Sequence, residues 1–190
     1  MQRRAFVKSS MAVAGMWALG TRAAHAAPRG ARIQAVIYDE RYADARRFAA
    51  VLGDEGTALL PARSNIVRLW YEAPSRMILA NATRIAGLTT QSDAVVARAM
   101  AAACGLRVLY EGMHDGRGIA GLMHRFERAN GPELARRIND NGAAWAGAVA
   151  AEVHSAALAS DDTALMAHTA GADRSPDFPG TLVSWLLGAV

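Results

Sequence analysis

Apolar runs of strand length alternate with segments of helical periodicity over residues 32–110. The apolar runs are residues 32–38, 57–60, 84–88 and 106–110. The helical segments are residues 42–52, 64–77 and 95–103. For residues 64–77 a strand is the alternative, but the strict alternation of a strand is missing, so a helix that breaks near Pro74 is favoured. This alternation predicts a three-layer α/β fold, in which helices flank a mainly parallel sheet of about four to five strands.

The clearest single unit covers residues 84–116, which are expected to form a strand, a polar turn, a helix and a second strand. The polar residues 89–93 are typical of a helix N-terminus, and Gly105 suits the left-handed conformation that often follows a helix. A helical crossover this short predicts that its two strands lie parallel in one sheet. The helix face expected to be apolar comprises Val95, Val96, Ala99, Ala102 and Ala103.

The last third of the chain is expected to be a mainly helical portion of the same domain. Residues 119–129 are predicted to form a helix, and residues 132–158 carry a second apolar stripe. The turn-forming residues 139–142 leave open whether that stripe belongs to one helix or two. Residues 160–179 are expected to be a loop, and for the apolar run 181–187 a strand is favoured over a short helix.

The first 26 residues have the three parts of an export signal. Residues 2–8 read QRRAFVK, residues 11–20 are mostly apolar, and small residues flank His25 at the end of the segment. With Arg3, Arg4, Phe6 and Lys8 in this order, the segment resembles a twin-arginine (Tat) signal peptide. The resemblance implies that the Tat translocase exports the protein to the periplasm. It also implies cleavage at Ala26, which would leave residues 27–190 as a single α/β domain.

Removing this leader changes the charge balance. The leader carries four of the 21 basic residues and none of the 17 acidic ones, so residues 27–190 have 17 of each. Because a nucleic-acid-binding surface needs an excess of basic residues, a nucleic-acid partner is not expected. The apolar run of the leader is about half of the ~20 residues that span a bilayer, and no membrane span is expected in the mature chain.

The best-marked nucleotide and nucleophile motifs are missing from the places where they are diagnostic. No GxGxxG directly follows the first apolar run, and the sequence has no GxxxxGK[ST] and no GxSxG. Cys104 is the one cysteine, so it cannot form an internal disulfide, and a haem or iron–sulfur site lacks its ligands. Cys104 is expected to be a small buried side chain. The histidines show no shared ligand spacing, and neither a metal nor a redox cofactor is predicted.

Polar residues follow the apolar runs, and in a parallel sheet the carboxyl ends of the strands are where ligands bind. His114 and Asp39 are the catalytic candidates, because imidazole and carboxylate groups serve as acids and bases. The predicted ligand-binding residues are Arg41, Arg63, Thr89, Thr90, Ser92 and Asp115.

Each of these candidates has a simpler structural alternative. Thr90 or Ser92 would cap the following helix, and Asp39 would form an ion pair with Arg41, Arg63 or Arg117. His114 lies among glycines, so it would be a solvent-exposed residue of a loop.

Two functions are compatible with this sequence. The first is a periplasmic binding or accessory protein without its own redox cofactor, either a companion of an oxidoreductase or a sensor of a small anionic ligand. The alternative is a small periplasmic hydrolase or metal-assisted enzyme. It would use His114 with Asp39 or Asp115, and Arg41 or Arg63 would hold the substrate.

Overall fold

A mixed β-sheet with helices on both faces forms the described part of the protein. The computed structural model describes residues 32–63, 65–117, 121–127, 131–158, 166–172 and 177–189. The predicted signal peptide, residues 1–26, lies outside them. The strands are β1 (Ala35–Tyr38), β2 (Ala58–Pro61), β3 (Arg84–Thr90), β4 (Arg107–Asp115), β5 (Leu122–Glu127), β6 (Met166–Ala172) and β7 (Thr181–Gly188). The α-helices are α1 (Ala43–Leu52), α2 (Ile66–Tyr71), α3 (Ser75–Asn81), α4 (Gln91–Ala103), α5 (Gly131–Asp140) and α6 (Trp145–Leu158).

The α/β class is confirmed, but the sheet is larger and less parallel than predicted. Among the described residues it has seven strands, in the order β2-β1-β3-β7-β4-β5-β6. β1 is parallel to both β2 and β3, whereas the other four adjacent pairs are antiparallel. β3 and β4 run in the same direction, as predicted, but β7 lies between them.

The last third of the chain contributes strands as well as helices. The helix predicted over residues 119–129 is wrong, because β5 occupies Leu122–Glu127. Its inward positions alternate, with Leu122, His124 and Phe126 buried and Met123 exposed, which is the period of a strand. β6 lies within the predicted loop, and β7 confirms the favoured strand. Residues 132–158 belong to two helices rather than one.

The two faces of the sheet have separate apolar cores. One core joins α1, α5 and α6 to the sheet and contains Phe48, Phe126 and Trp145. The other joins α2, α3 and α4 to the opposite face and contains Trp70 and Trp185. The three-layer arrangement is therefore present. No helix in the described residues is long and apolar enough to cross a membrane.

Two local predictions on α4 are wrong. Its buried side chains are Ala94, Ala97 and Ala101, whereas Val95 is half exposed. Cys104, expected to be buried, is exposed at the end of the helix.

Candidate functional site

Three of the polar residues predicted at the strand ends, Asp39, Thr90 and Asp115, lie along one edge of the sheet. The Asp39 N–H donates to the carbonyl of Leu88 at 3.2 Å, so the loop after β1 lies beside the end of β3. Thr90 pairs with Leu182, and Asp115 pairs with Thr181. The carboxyl ends of β1, β3 and β4 therefore meet the start of β7, and we call this side of the sheet the carboxyl edge.

Asp39 and Arg41 form a closed pair at the end of β1. Arg41 Nε donates to Asp39 Oδ1 at 2.9 Å, Arg41 Nη2 donates to Oδ2 at 2.6 Å, and the backbone N–H of Arg41 also donates to Oδ1. The carboxylate is fully buried, while the Arg41 side chain is 48% exposed. The hydrogen bonds to Asp39 raise the pKa of Arg41 above its usual value, and nearby Asp93 acts in the same direction. The predicted ion-pair alternative is confirmed for Asp39.

The same Asp-X-Arg pairing recurs at the end of β4. Arg117 Nε and Nη2 donate to the two carboxylate oxygens of Asp115 at 2.9 and 2.7 Å, and the Arg117 backbone N–H donates at 3.0 Å. Hydrogen bonding from Arg117 holds the pKa of Asp115 below its ordinary value. Both aspartates therefore bond an arginine two residues later, in the fork geometry that guanidinium and carboxylate groups share.

The N-terminus of α4 is capped by its own side chains. Thr90 Oγ1 accepts from the backbone N–H of Asp93 at 3.4 Å and donates to the Asp93 carboxylate at 3.0 Å. The hydroxyls of Thr90 and Ser92 are 3.1 Å apart. Thr90 therefore caps the helix, which is the structural alternative to its predicted role in ligand binding. Asp93 places a negative charge in the first turn, where it interacts favourably with the helix dipole.

Thr89 lies in the core rather than at the carboxyl edge. Its side chain is fully buried, and the indole N–H of Trp185 donates to Thr89 Oγ1 at 3.1 Å. The hydroxyl is thus an internal acceptor for an aromatic side chain of the neighbouring strand. The structure does not bring Thr89 into contact with the exposed candidates Arg41 and Ser92.

Replacing Thr89 by valine is expected to lower the free energy of unfolding by about 1–2 kcal/mol, because the Trp185 N–H loses its acceptor inside the core. Thr89→Ser keeps the hydroxyl and is the matched control, with a smaller expected loss. Urea denaturation of the three proteins measures both effects. Equal stability of Thr89→Val and the unmodified protein would contradict this role of the hydroxyl.

Arg63 lies beside β2, away from the end of β3. It forms an ion pair with Glu40 at 2.9 Å and has a left-handed backbone, with φ of 40°. Arg63 also lines a cavity of about 230 Å³, together with Asn65, Arg68, Glu72 and neighbouring residues. Arg68 and Glu72 form an ion pair with each other at 2.9 Å. Of the predicted ligand-binding residues, Arg63 is the one that this cavity includes.

His114 lies in β4 and is fully buried, so the prediction of an exposed loop histidine is wrong. Its Nδ1 lies 2.7 Å from Nδ1 of His124, and its Nε2 lies 2.9 Å from Ser184 Oγ. Ser184 Oγ donates in turn to the carbonyl of Gly112 at 3.3 Å. Sequence reasoning did not connect His124 or Ser184 with His114. The signal in the sequence is the spacing of two residues between Leu122, His124 and Phe126. In a strand this spacing places His124 on the same inward face as the two apolar residues.

Aromatic rings enclose the two imidazoles. The Trp145 ring lies 4.5 Å from the ring centre of His114 and 5.1 Å from that of His124, and Phe126 packs against both. Burial, followed by the proximity of His124, holds the pKa of His114 well below its usual value. Burial lowers the pKa of His124 to about 4. Both imidazoles are therefore neutral at physiological pH.

The Ser184–His114–His124 chain has the connectivity of a nucleophile, a base and an orienting group. Its surroundings are those of a core, because Ser184 is fully buried and its strand pairs on both sides, with Leu88 and Gly112. Backbone N–H groups in such ladders are engaged in the sheet and do not form an oxyanion hole. The chain is therefore a buried polar network between β4, β5 and β7.

Ligands for a metal do not gather in the described ranges. There, no group of three or more His, Cys, Asp or Glu side chains is arranged to hold a metal ion. Comparisons with protein-family models, curated proteins and solved structures found no match to this chain. What the protein does is therefore inferred from its own residues.

Proposed function

We propose that the protein is exported to the periplasm by the Tat route and binds a small anionic ligand at the carboxyl edge, without a redox cofactor of its own. The observation that supports this most directly is the Asp39–Arg41 pair. A fully buried carboxylate holds a half-exposed guanidinium in a fixed orientation there. A cationic donor fixed before the ligand arrives loses little conformational entropy on binding.

The topology of the sheet supports the same location. β1 has β2 on one side and β3 on the other. The connection from β1 therefore leads to one side of β1, and the next connection, from β2, leads back past β1 to the other side. α1 follows β1 on one face, and α4 follows β3 on the other. Where two such connections diverge, the carboxyl ends of the strands bound a crevice, which is the usual ligand position in open α/β sheets. Arg41 follows β1, Thr90 is the last residue of β3, and Ser92 lies in the first turn of α4.

The free donors of Arg41 determine the chemistry of the ligand. A guanidinium has five N–H groups, and Asp39 accepts from the Nε and Nη2 atoms. The remaining donors suit the oxygen atoms of a carboxylate or a phosphate. Asp93 lies close enough to affect the pKa of Arg41, so its charge opposes a second negative charge on the ligand. A singly charged carboxylate is therefore favoured over a multiply charged phosphate.

Replacing Arg41 by lysine is expected to weaken binding at least about tenfold, because a charge-assisted hydrogen bond contributes about 1.5–3 kcal/mol and lysine lacks the fork geometry. Lysine keeps a positive charge beside the buried Asp39. The matched control is Arg117→Lys, which alters the equivalent pair at the end of β4. Native mass spectrometry of protein purified from the periplasm identifies a bound molecule. NMR titrations with acetate, glycine and inorganic phosphate measure affinity for defined probes.

Two results would contradict the ligand-binding proposal. One is a protein that carries no small molecule and whose NMR spectrum none of the three probes changes. The other is equal binding by Arg41→Lys and the unmodified protein, with Arg41→Lys folded as judged by its melting temperature.

The export proposal has its own test. Replacing Arg3 and Arg4 together by lysine is expected to keep the protein in the cytoplasm, because the paired arginines are the part of the leader that resembles a Tat signal. Cell fractionation and the mass of the processed chain measure the result, and an Arg22→Lys variant controls for a change of arginine elsewhere in the leader. If the processed double variant reached the periplasm in the same amount as the unmodified protein, another route would export the chain.

The acid and base groups that the enzyme alternative needs lie in separate places. His114 contacts Ser184 and His124, whereas the carboxylates of Asp39 and Asp115 bond arginines. These groups do not form one acid–base set at the carboxyl edge. The binding function is therefore the one that the geometry supports better.

A further inference from the structure

Two polar atoms beside the histidine pair are buried without a hydrogen-bond partner. They are Nε2 of His124 and Nε1 of Trp145. The two residues are 1% and 0% exposed, and their ring centres lie 5.1 Å apart. Buried polar groups in folded proteins are almost always hydrogen-bonded to protein or to internal water. Two unpartnered atoms on adjacent buried rings therefore point to a shared third partner.

The hydrogen bonds of the chain determine which of the two atoms donates. Ser184 Oγ lies 3.3 Å from the Gly112 carbonyl, which can only accept, so the hydroxyl proton points there. His114 Nε2 must then carry the proton that is donated to Ser184 Oγ, which leaves His114 Nδ1 as an acceptor. His124 Nδ1 consequently carries the proton of the 2.7 Å contact. His124 Nε2 is left with a free lone pair, while the indole Nε1 of Trp145 always carries a hydrogen.

The reverse proton order makes one hydrogen bond fewer. In that order Ser184 donates to His114 and the bond to Gly112 is not made. His124 Nε2 would then carry a hydrogen, and two buried donors would face no acceptor. The first order leaves one acceptor and one donor, which a single water molecule satisfies at once.

We propose that His124 Nε2 and Trp145 Nε1 form a binding site for one internal water molecule, which donates a hydrogen bond to the imidazole and accepts one from the indole. The water links α6 to the network that joins β4, β5 and β7. Internal waters of this kind satisfy otherwise unpaired polar groups and are costly to remove. In the same proton order Ser184 donates to the backbone carbonyl of Gly112, so its hydroxyl is not activated as a nucleophile.

A high-resolution crystal structure of the mature protein tests the site directly. We expect a water peak within about 2.7–3.2 Å of both atoms. Ordered His124 and Trp145 side chains with no peak in hydrogen-bond reach of both would overturn the proposal. In Trp145→Phe, which keeps an aromatic ring but removes the N–H, the peak is expected to weaken or disappear. A peak of unchanged position and occupancy there would exclude Trp145 as a ligand.

Nitrogen-15 NMR of the unmodified protein tests the proton order without any variant. The expected spectrum shows His114 protonated at Nε2 and His124 protonated at Nδ1. The opposite pattern would overturn the proposal, because His124 would then have no lone pair to accept from the water. Labelling of the imidazole nitrogens distinguishes the two patterns in folded protein at neutral pH.

Discussion

Replacing Gly87 by alanine is expected to lower the free energy of unfolding by about 3 kcal/mol, near the upper end of the usual cost of overpacking a core. A Cβ atom at this position would lie 2.2 Å from Cζ2 of Trp185 and 2.7 Å from the carbonyl oxygen of Ile37. Trp185 pairs with Gly87 across β3 and β7, and its N–H is bonded to Thr89. In the variant the ring cannot move away without breaking that bond, so the substitution strains the contact between β3 and β7.

Gly147→Ala is the matched control for this change. Gly147 lies in α6, and a Cβ there would meet Val51 at an ordinary 3.7 Å. Alanine in a helix is favoured over glycine by up to about 1 kcal/mol, so this variant is expected to be as stable as the unmodified protein or more stable. Guanidinium denaturation measures both. A difference in stability of less than about 1 kcal/mol between the two variants would refute the close-approach explanation.

A double-mutant cycle tests the contact itself. Trp185→Phe removes the indole atoms nearest to position 87 and should relieve part of the strain caused by Gly87→Ala. The double variant is expected to be more stable than the sum of the two single changes predicts, by about 1 kcal/mol. Strict additivity would show that the strain arises elsewhere, with the Ile37 carbonyl as the remaining close neighbour.

The strands and helices before residue 116 could be predicted because their patterns are local. Gly105 and the polar turn before α4 mark helix ends wherever the helix packs. What the pattern could not supply is the strand that lies between β3 and β4. β7 comes from the last residues of the described chain, and nothing in residues 84–116 specifies it. Its own apolar run, buried at every position from Leu182 to Leu187, is typical of a central strand.

Other errors have equally specific causes. In β5, the inward position between Leu122 and Phe126 is a histidine, so the spacing of two residues is visible only if His124 is counted as an inward residue. Counting apolar residues alone favours a helix there. On α4, alanine occurs on all sides and gives little contrast between faces, so the apolar pattern predicts the wrong buried face and includes Val95 in it. Alanine at Ala94, Ala97 and Ala101 instead permits a close approach of the helix to the sheet.

The two polar sites differ in how far sequence reasoning can reach. The Asp-X-Arg pairs are formed within three residues at the end of a strand, and Asp39 with Arg41 was among the predicted alternatives. The His114–His124–Ser184 network depends on the register of three strands whose sequence separation reaches 70 residues. A shift of one residue in either pairing would turn a member to the opposite face, so the network could not be derived without the structure.

Acidification from pH 7.5 to 4.5 is expected to destabilise the protein strongly through the two buried histidines. In the unfolded chain His124 takes up a proton near pH 6.5, whereas in the folded protein its pKa is lowered to about 4. The unfolded state therefore binds more protons between these values, and stability rises with pH across this window. At 1.36 kcal/mol per pKa unit, His124 alone accounts for a loss of about 3 kcal/mol as the pH falls from 6.5 to 4.

His114 acts in the same direction, because burial and the neighbouring His124 also lower its pKa. The neighbours that pack on the two rings, Phe126 and Trp145, are uncharged and offer no counter-ion. The carboxylates of Asp54 and Asp115 titrate in a different range, since their pKa values are lowered from 3.8. Their contribution is lost only in more acidic solution, so the loss between pH 6.5 and 4.5 is assigned to the histidines.

Urea denaturation at pH 7.5, 6.5, 5.5 and 4.5 measures this dependence. His124→Gln is expected to be less stable at pH 7.5 but to lose less stability on acidification, because one of the two buried titrating groups is gone. The control is His154→Gln, in which the replaced imidazole is exposed on α6. The free energy of unfolding of this variant is expected to depend on pH as that of the unmodified protein does. An unmodified protein equally stable at pH 6.5 and 4.5, or an unchanged slope in His124→Gln, would show that the buried pair does not control acid stability.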